Sequence, residues 1–312
     1  QLEAAVGCID QPTFDALNTY FVSRAVREAG VKVALAGTGG DELVGGYASF
    51  RELPKVARVA QMLGVLPNRL KRSLARTLVN LRSGEPGELH PQTRWGKLAD
   101  MLATRGDLAS VYQVGYAMFT RETHEALMLT PPAGMDWGLD TKQLAELRSL
   151  IAGQSDLRAI SLLEISSFLR ERLLRDTDFA SMAVSLETRV PFLDHVLIET
   201  IAALPDTVRF APLGQKSLLK HAVRQQLPEA LFDRPKAGFE LPLGMWCRGA
   251  LAARLEETFT DVNLATAIGL NAETVGRIWR AFRKGGEGQY WSRVWSLYVL
   301  MNWCRRHDVY AA

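Results

Sequence analysis

A glycine-rich turn closed by two adjacent carboxylates is the part of this chain best suited to chemistry. Four small residues form the turn, which follows an apolar run at positions 31–36: Gly37, Thr38, Gly39 and Gly40. Small residues let a backbone approach a phosphate, and a following helix N-terminus adds partial positive charge. Asp41 and Glu42 come next. Because Mg²⁺ takes one or two carboxylates plus phosphate oxygens, the stretch predicts a nucleotide or pyrophosphate site with Mg²⁺ at Asp41 and Glu42.

An ordinary strand-to-helix turn explains the same residues equally well. The spacing of the glycines matches neither the Walker loop nor the dinucleotide fingerprint, so residue types alone do not decide between the two interpretations.

A second candidate stretch, at positions 172–194, carries dense alternating charge. Its arginines can clamp a carboxylate bidentately, but residue types alone favour a network of structural ion pairs. Four residues are the candidate substrate-binding groups: Arg175, Asp178, Glu187 and Arg189. Pro191 is expected to end any helix near it, and Asp194 can cap the next one.

The third candidate is Lys236, which lies between Pro235 and Gly238 in a turn context. A lysine on a small loop is a point charge suited to phosphate. An exposed surface loop is the simpler explanation of the same residues.

Composition narrows the classes of protein that fit. The chain has 312 residues, 47% of them hydrophobic and 23% charged, which is ordinary for a globular protein with a large core or two subdomains. No apolar run reaches the roughly 18 residues of a membrane span. The net charge of +3 does not indicate nucleic acid. Three distant cysteines give neither a disulfide framework nor a zinc site, and they predict a cytoplasmic protein. The five histidines are scattered without metal-ligand spacing, so we expect any metal to be bound through oxygen atoms.

Hydrophobic periodicity predicts a mostly helical chain. A helix over about 13–29, capped by Thr13 and ended by Gly30, precedes a buried strand at 31–36, whose sheet neighbours we expect upstream. Further helices are predicted at roughly 50–64, 67–82, 91–104, 107–118, 120–129, 140–152, 156–175, 194–204, 217–227, 272–284 and 288–306. The aromatic residues of the last predicted helix are expected to pack in the core rather than to stack against nucleobases. These residues are Tyr290, Trp291, Trp295, Tyr298 and Trp303.

Together the three stretches resemble the synthetase domain of glutamine-hydrolysing asparagine synthetases, over roughly residues 10–250. The family shows a glycine turn ending Asp-Glu and then Gly-Gly-Tyr, as at 37–47. Its other motifs match at 173–178 (Leu-Leu-Arg-Asp-x-Asp), 182–194 (ending Arg-Val-Pro-Phe-Leu-Asp), 216–220 (Lys-x-x-Leu-Lys) and 234–239 (Arg-x-Lys-x-x-Phe).

The resemblance implies both a fold and a reaction. The fold would be the mostly helical C-terminal portion of an α/β adenine-nucleotide hydrolase-like synthetase domain, of the ATP pyrophosphatase type, with at most a few short strands. The family adenylates the side-chain carboxylate of aspartate with ATP and Mg²⁺, and ammonia then gives asparagine and AMP. The ammonia comes from glutamine, cleaved in a separate N-terminal domain. A cytoplasmic homodimer that binds neither nucleic acid nor membrane is the expected whole protein.

The resemblance also assigns roles residue by residue. Asp41 matches the family's second Mg²⁺-binding acid, and Lys236 matches the lysine that steadies pyrophosphate. Ala36, Gly37 and Thr38 match the turn that lines the pocket for ATP and substrate, with Gly39 and Gly40 continuing it.

Three departures from the family pattern matter. The pyrophosphate loop Ser-Gly-Gly-x-Asp-Ser is absent, so we expect it upstream with the glutaminase domain and predict that residues 1–312 are a fragment without turnover of its own. Thr38 stands where many members carry a glutamate base, and a threonine hydroxyl is a poor base at neutral pH. Ala36 replaces a frequent serine.

These departures keep two alternatives open. One is a relative that amidates another carboxylate, such as a sugar uronate or a secondary metabolite, or that closes a β-lactam. The other is a non-catalytic relative that binds nucleotide, which a degenerate upstream loop would favour. A nucleic-acid enzyme of the ATP-pyrophosphatase type is disfavoured, because no basic aromatic surface is evident.

Overall fold

The computed structural model describes residues 1–65, 96–131, 133–228, 231, 241–285 and 290–311. It is mostly helical with a few short strands, as the sequence predicts. The chain divides into two compact units. The first contains Gln1–Ile9, Asp15–Lys55 and Ala145–Leu241, and the second contains Asp10–Phe14, Val56–Leu144 and Pro242–Ala312.

The first unit holds one parallel strand pair among helices. Its strands are β1, Val33–Leu35, and β4, Glu187–Arg189. Its helical segments are Leu2–Gly7, Ala16–Glu28, Gly40–Val44, the start of Ser49–Met62, most of Thr141–Ile151, Asp156–Leu163, the π-helix Glu164–Leu173, Leu174–Met182, the 3₁₀ turn Pro191–Leu193, His195–Ala203, Asp206–Arg209 and Ser217–Val223.

The prediction that the first strand is buried is wrong. β1 pairs with β4 in parallel, with Leu35 opposite Arg189. This partner lies downstream in the chain, and the expectation of sheet neighbours upstream stays a prediction. Side chains alternate along a strand, so Val33 and Leu35 share one face. That face is open, with 42% and 73% of the two residues exposed. Apolar composition therefore indicated the strand correctly but not what covers it.

Packing in the first unit centres on the short helix that follows the glycine turn. Leu43, Val44 and Ile201 form a buried cluster. Partly buried apolar residues surround it: Ile165, Phe192, Leu197, Ile198, Leu218 and Leu219. Asp194 caps His195–Ala203 as predicted, because its Oδ1 accepts the backbone N–H of Val196 at 2.9 Å. The helix expected from residue 13 begins instead at Ala16, with Asp15 at its N-cap position.

A ten-residue π-helical segment is an element that periodicity does not reveal. The predicted helix over 156–175 begins as Asp156–Leu163, capped by Ser155, and continues through Glu164–Leu173 into Leu174–Met182. π-helical turns are rare and are often found at functional sites.

The second unit is helical apart from one hairpin. The hairpin pairs β2, Met135–Asp136, with β3, Leu139–Asp140. The helical segments are the second half of Ser49–Met62, the 3₁₀ turn Leu63–Val65, Leu98–Ala103, Leu108–Tyr116, Arg121–Leu127, the start of Thr141–Ile151, Leu243–Arg248, Ala252–Thr260, Val262–Ala267, Ala272–Lys284 and Trp291–His307.

Aromatic side chains build much of the core of the second unit. Trp279 stacks on Phe259 with ring centroids 5.5 Å apart. Trp295 and Tyr298, from the last predicted helix, are buried as predicted, whereas Tyr290 is 48% exposed.

Some predicted elements lie outside the described residues, and some helices of the structure were not predicted. The helix at 67–82, the start of the one at 91–104 and the loop that carries Lys236 lie outside them. Five helices have no counterpart among the predictions: Leu2–Gly7, Asp206–Arg209, Leu243–Arg248, Ala252–Thr260 and Val262–Ala267. Among the helices in the described ranges, none combines the length and the apolar character that a bilayer crossing needs.

Candidate active site

The glycine turn and the Pro191–Leu193 turn lie side by side. β1 and β4 are parallel, so the segments that follow them leave from the same edge. The backbone N–H of Ala36 donates to the carbonyl oxygen of Arg189 at 2.8 Å, which extends the pairing into the turn. Two stretches that the sequence singled out separately therefore meet at one place.

Gly39 allows this close approach. A Cβ at Gly39 would lie 2.5 Å from Leu193 Cδ2, and Gly39 has a φ of +100°, which favours glycine. A Cβ at Gly40 would lie 3.5 Å from the Phe192 ring, which is an ordinary contact, so packing does not require glycine there. Gly39 thus has a packing reason that is independent of any phosphate.

Asp41 is held at the surface of the site from two sides. Its Oδ2 accepts from Lys216 Nζ at 2.7 Å, and the two side chains are 27% and 34% exposed. A Cβ added at Gly46 would fall 1.7 Å from Asp41 Oδ1, so this position must be glycine for Asp41 to keep its rotamer. The N–H of Gly46 also donates to the Asp41 carbonyl oxygen at 2.9 Å. Gly46, the second glycine of the Gly-Gly-Tyr motif, therefore lies directly against the Asp41 carboxylate.

Glu42 turns away from Asp41 and into the protein. It is 1% exposed, and its Oε1 accepts from the hydroxyl of Tyr47 at 2.9 Å. Burial raises the pKa of Glu42, and the hydrogen bond from Tyr47 opposes that rise only in part. Burial together with the nearby Glu42 carboxylate raises the pKa of the Tyr47 phenol. The two adjacent carboxylates thus occupy different environments.

A buried arginine supports the helix that carries both carboxylates. Arg209 Nε donates to the carbonyl oxygen of Leu43 at 2.7 Å, and its Nη2 donates to Ser161 Oγ at 2.7 Å. Ser161 Oγ donates in turn to the Glu42 carbonyl oxygen at 2.8 Å. These bonds satisfy carbonyls that a short helix leaves open at its C-terminus. Burial lowers the pKa of Arg209 to about 10.

A second buried carboxylate lies beside this network. Glu164, at the start of the π-helix, is fully buried and accepts from the hydroxyl of Ser49. Its negative charge contributes to the raised pKa of Tyr47. Sequence reasoning missed Glu164, Ser161 and Arg209, because their partners lie 115, 119 and 166 positions away.

The candidate substrate-binding residues are only partly brought together. Arg189 Nε donates to Glu187 Oε1 at 2.7 Å at the end of β4, and both side chains are mostly exposed. Arg175 lies on Leu174–Met182, with Nη1 3.8 Å from Glu171 Oε2, and Asp178 is exposed on the same helix. The ion-pair interpretation of this stretch holds for Glu187 and Arg189, and a role in binding substrate stays a prediction.

The metal roles of Asp41 and Glu42 stay predictions: the Asp41 carboxylate is partly exposed beside Lys216, whereas the Glu42 carboxylate is buried against Tyr47. Mg²⁺ needs only one or two carboxylates when phosphate supplies other ligands. In the parts of the chain that the structure describes, no group of three or more His, Cys, Asp or Glu residues is arranged around a common metal position. A metal role for Glu42, whose carboxylate faces Tyr47, stays a prediction, as does catalysis by the half-buried Thr38.

The sequence matches a known family. The family model described as asparagine synthase matches residues 1–305. The chain is therefore a member of the asparagine synthase family, which confirms the resemblance.

Individual relatives agree with this assignment. The chain is 28% identical over 309 residues to the "Putative asparagine synthetase (glutamine-hydrolyzing)" of Mycobacterium tuberculosis, covering 97% of the chain and 44% of that relative. It is 28% identical over 255 residues to asparagine synthetase 1 of Bacillus subtilis, covering 80% of the chain and 37% of the relative. Amidase chyE of Penicillium rubens is 24% identical over 266 residues, with 82% of the chain and 39% of the relative covered. The chain spans less than half the length of these relatives, and no solved structure matches it.

Proposed function

We propose that this chain is the synthetase part of a glutamine-dependent amidotransferase that converts aspartate to asparagine. In this proposal ATP adenylates the side-chain carboxylate of aspartate, and ammonia released from glutamine displaces AMP. Membership of the asparagine synthase family supports an ATP-dependent ligase of the amidotransferase type. We further propose an adenine-nucleotide hydrolase-like fold, a cytoplasmic homodimer, and an upstream segment that carries the pyrophosphate loop and the glutaminase domain.

The observation that carries the proposal is the seating of Asp41 at the end of β1. Lys216 and the Gly46 backbone fix its carboxylate, and Arg209 fixes the helix on which it lies. A Mg²⁺ ion at Asp41 would neutralise charge on the departing pyrophosphate. Fixed positions for such groups matter, because stabilisation of developing charge is largest when the charges do not have to reorganise.

Lysines supply the positive charge that the chain itself brings to this site. Lys216 lies against Asp41, and Lys236 is proposed to steady pyrophosphate. Lys216 orients the Asp41 carboxylate and adds a cation at the same edge. A lysine is suited to this, because it binds phosphate as a point charge and needs no fixed fork of donors.

Thr38, together with residues on β4 and on the helix before it, is proposed to face the substrate. A threonine hydroxyl does not serve as a base at neutral pH, so we propose that water or another group takes the proton from the attacking ammonia. Arg175, Asp178, Glu187 and Arg189 are proposed to bind the aspartate carboxylates and amine. Arg189 would have to exchange Glu187 for the substrate, and because the pair is exposed this exchange costs little.

Two observations make a carboxylate other than aspartate a second candidate substrate. Thr38 stands where many family members carry glutamate, and two fungal amidases match at 24% and 22% identity. The second candidate is therefore the same reaction on another carboxylate, such as a sugar uronate or a secondary metabolite.

The test uses the full-length parent protein with ATP, Mg²⁺, ammonium and aspartate, and mass spectrometry detects AMP and asparagine. Equal amounts of AMP and asparagine would support aspartate as the acceptor. AMP that forms only when other carboxylates are supplied would favour the second candidate. No AMP with any carboxylate would contradict both.

A further inference from the structure

A cavity of about 660 Å³ in the second unit lies outside everything assigned above. Its lining residues, within the described ranges, all come from positions 117–138. This volume is typical of small-molecule sites, which span roughly 300–1,000 Å³. None of the candidate active-site residues lines it. One short stretch of chain therefore builds a pocket of ligand size.

One wall is a single face of the helix Arg121–Leu127 and its last cap position. Arg121, His124, Glu125 and Met128 line the pocket, and their spacing of three and four residues places them on one side of a helix. Thr120 caps this helix, since its side chain accepts from the backbone N–H of Thr123. Because this cap fixes where the helix begins, it also fixes the position of the pocket wall that the helix forms.

The opposite wall is the β2–β3 hairpin, whose two-residue loop is Trp137–Gly138. The φ angles of these two residues are +54° and +84°, as tight hairpin turns require. Such turns favour asparagine and glycine, and a bulky side chain at positive φ is uncommon. The strained conformation of Trp137 is compatible with a role for its ring in lining the pocket.

Arg121 ties the two walls together. Its Nη2 lies 2.5 Å from Asp136 Oδ1, and its guanidinium sits 4.9 Å from the centre of the Trp137 ring. The backbone N–H of Arg121 also donates to Asp100 Oδ2 at 2.9 Å. The positive charge of Arg121 is thus already matched by Asp136.

Besides Arg121, the lining contains His124 and one carboxylate, Glu125, and its other side chains are apolar. Five large apolar side chains contribute: Met118, Phe119, Met128, Met135 and Trp137. Methionines adapt their shape to a ligand and contact aromatic rings favourably. Glu125 lines the same space and forms no ion pair with any described residue. The charge left without a partner in this pocket is therefore negative.

We propose that this pocket binds a small amphipathic amine. The ammonium group pairs with Glu125, and the apolar or aromatic body packs against the methionines and Trp137. An ammonium suits the site because it can form a charge-assisted pair with a carboxylate, while the apolar body of the same ligand contacts the methionines.

The test measures binding of phenethylamine and of 3-phenylpropionate to the 312-residue chain by titration calorimetry. The two probes share their apolar body and differ in the sign of the charge. We expect phenethylamine to bind at least about tenfold more tightly, since a charge-assisted hydrogen bond distinguishes them. Equal binding, or tighter binding of the acid, would overturn the proposal.

Two matched variants test whether phenethylamine binds in this pocket. Glu125→Gln should weaken phenethylamine binding about tenfold and leave 3-phenylpropionate unchanged or slightly tighter. Glu122→Gln is the control, because Glu122 is exposed on the same helix and does not line the pocket. Both substitutions are at exposed positions, so circular dichroism should show folded protein in each. If the two substitutions changed the affinity for phenethylamine equally, the binding site would lie elsewhere, and that result would contradict the assignment.

Discussion

Asp41 Oδ2 and Lys216 Nζ are 2.7 Å apart, although 175 positions separate the two residues in the chain. The contact joins the glycine-turn stretch to the Lys-x-x-Leu-Lys stretch, and both side chains keep about a third of their surface open. A partly exposed ion pair contributes little to stability. Its importance is that it orients a carboxylate at the edge where nucleotide is proposed to bind.

Asp41→Asn in the full-length protein should lower AMP formation by about 10²–10³-fold, because the variant loses the charge that is proposed to hold Mg²⁺. The protein should remain folded, since Asp41 lies at the surface of the site. Asp10→Asn, at an exposed aspartate, is the control and should keep full activity. Normal AMP formation by Asp41→Asn would remove Asp41 from the metal site.

Gly46→Ala should destabilise the first unit by about 1–3 kcal/mol, because overpacked positions cost that much. The new Cβ would meet Asp41 Oδ1 at 1.7 Å, and the carboxylate would have to move away from Lys216. Urea unfolding followed by circular dichroism measures the change. Gly64→Ala is the matched control, since a Cβ there has open space around it. Equal stability of the two variants would show that Gly46 does not fix Asp41.

Arg209→Met should cost about 1–3 kcal/mol or more in urea unfolding, because the Leu43 carbonyl and Ser161 hydroxyl lose a buried donor. Arg209→Lys should recover little of this loss, since one ammonium group does not reproduce the planar fork that reaches both acceptors. Arg175→Met, at an exposed arginine, should change the free energy of unfolding by less than about 0.5 kcal/mol. A full rescue by lysine would show that charge alone matters at this position.

Glu42 should make the stability of the chain depend on pH. Its pKa in the folded protein is raised above the ordinary value of 4.5, so the folded chain holds this proton more tightly than the unfolded chain. The contribution of Glu42 to stability is therefore greatest below pH 4.5 and is lost as the pH rises through the raised pKa.

Glu42→Gln removes this titration. Unfolding free energies of the wild-type chain and the variant should be compared from pH 4 to pH 8, where the wild type should lose stability relative to the variant as the pH rises. A difference that stays constant, or that changes in the opposite direction, would contradict the buried, proton-retaining environment of Glu42.

Strong periodicity made some elements predictable from sequence. Ala272–Lys284 matches its predicted bounds, because apolar and charged residues alternate over more than three turns. Val262–Ala267 was missed, since six residues carry too little periodicity to distinguish a helix from a loop. Leu35 shows the opposite error: its strand was found, but 73% exposure depends on what packs against the strand and not on its composition.

The candidate site was predictable as motifs and not as contacts. The glycine turn and its carboxylates were recognised from local sequence, but composition did not reveal that Gly39 accommodates Leu193 and that Gly46 accommodates Asp41. Arg209 carries no local signal, because its partners come from distant helices. Long-range contacts of this kind depend on the fold, so hydrophobic periodicity does not predict them.

The most direct test of the central claim follows an oxygen atom. Aspartate labelled with ¹⁸O in its side-chain carboxylate is supplied to the full-length protein with ATP, Mg²⁺ and ammonium, and the products are analysed by mass spectrometry. If the carboxylate is activated by adenylation, AMP leaves with one ¹⁸O atom when nitrogen displaces it. AMP without label, or label found in inorganic phosphate beside ADP, would contradict the account.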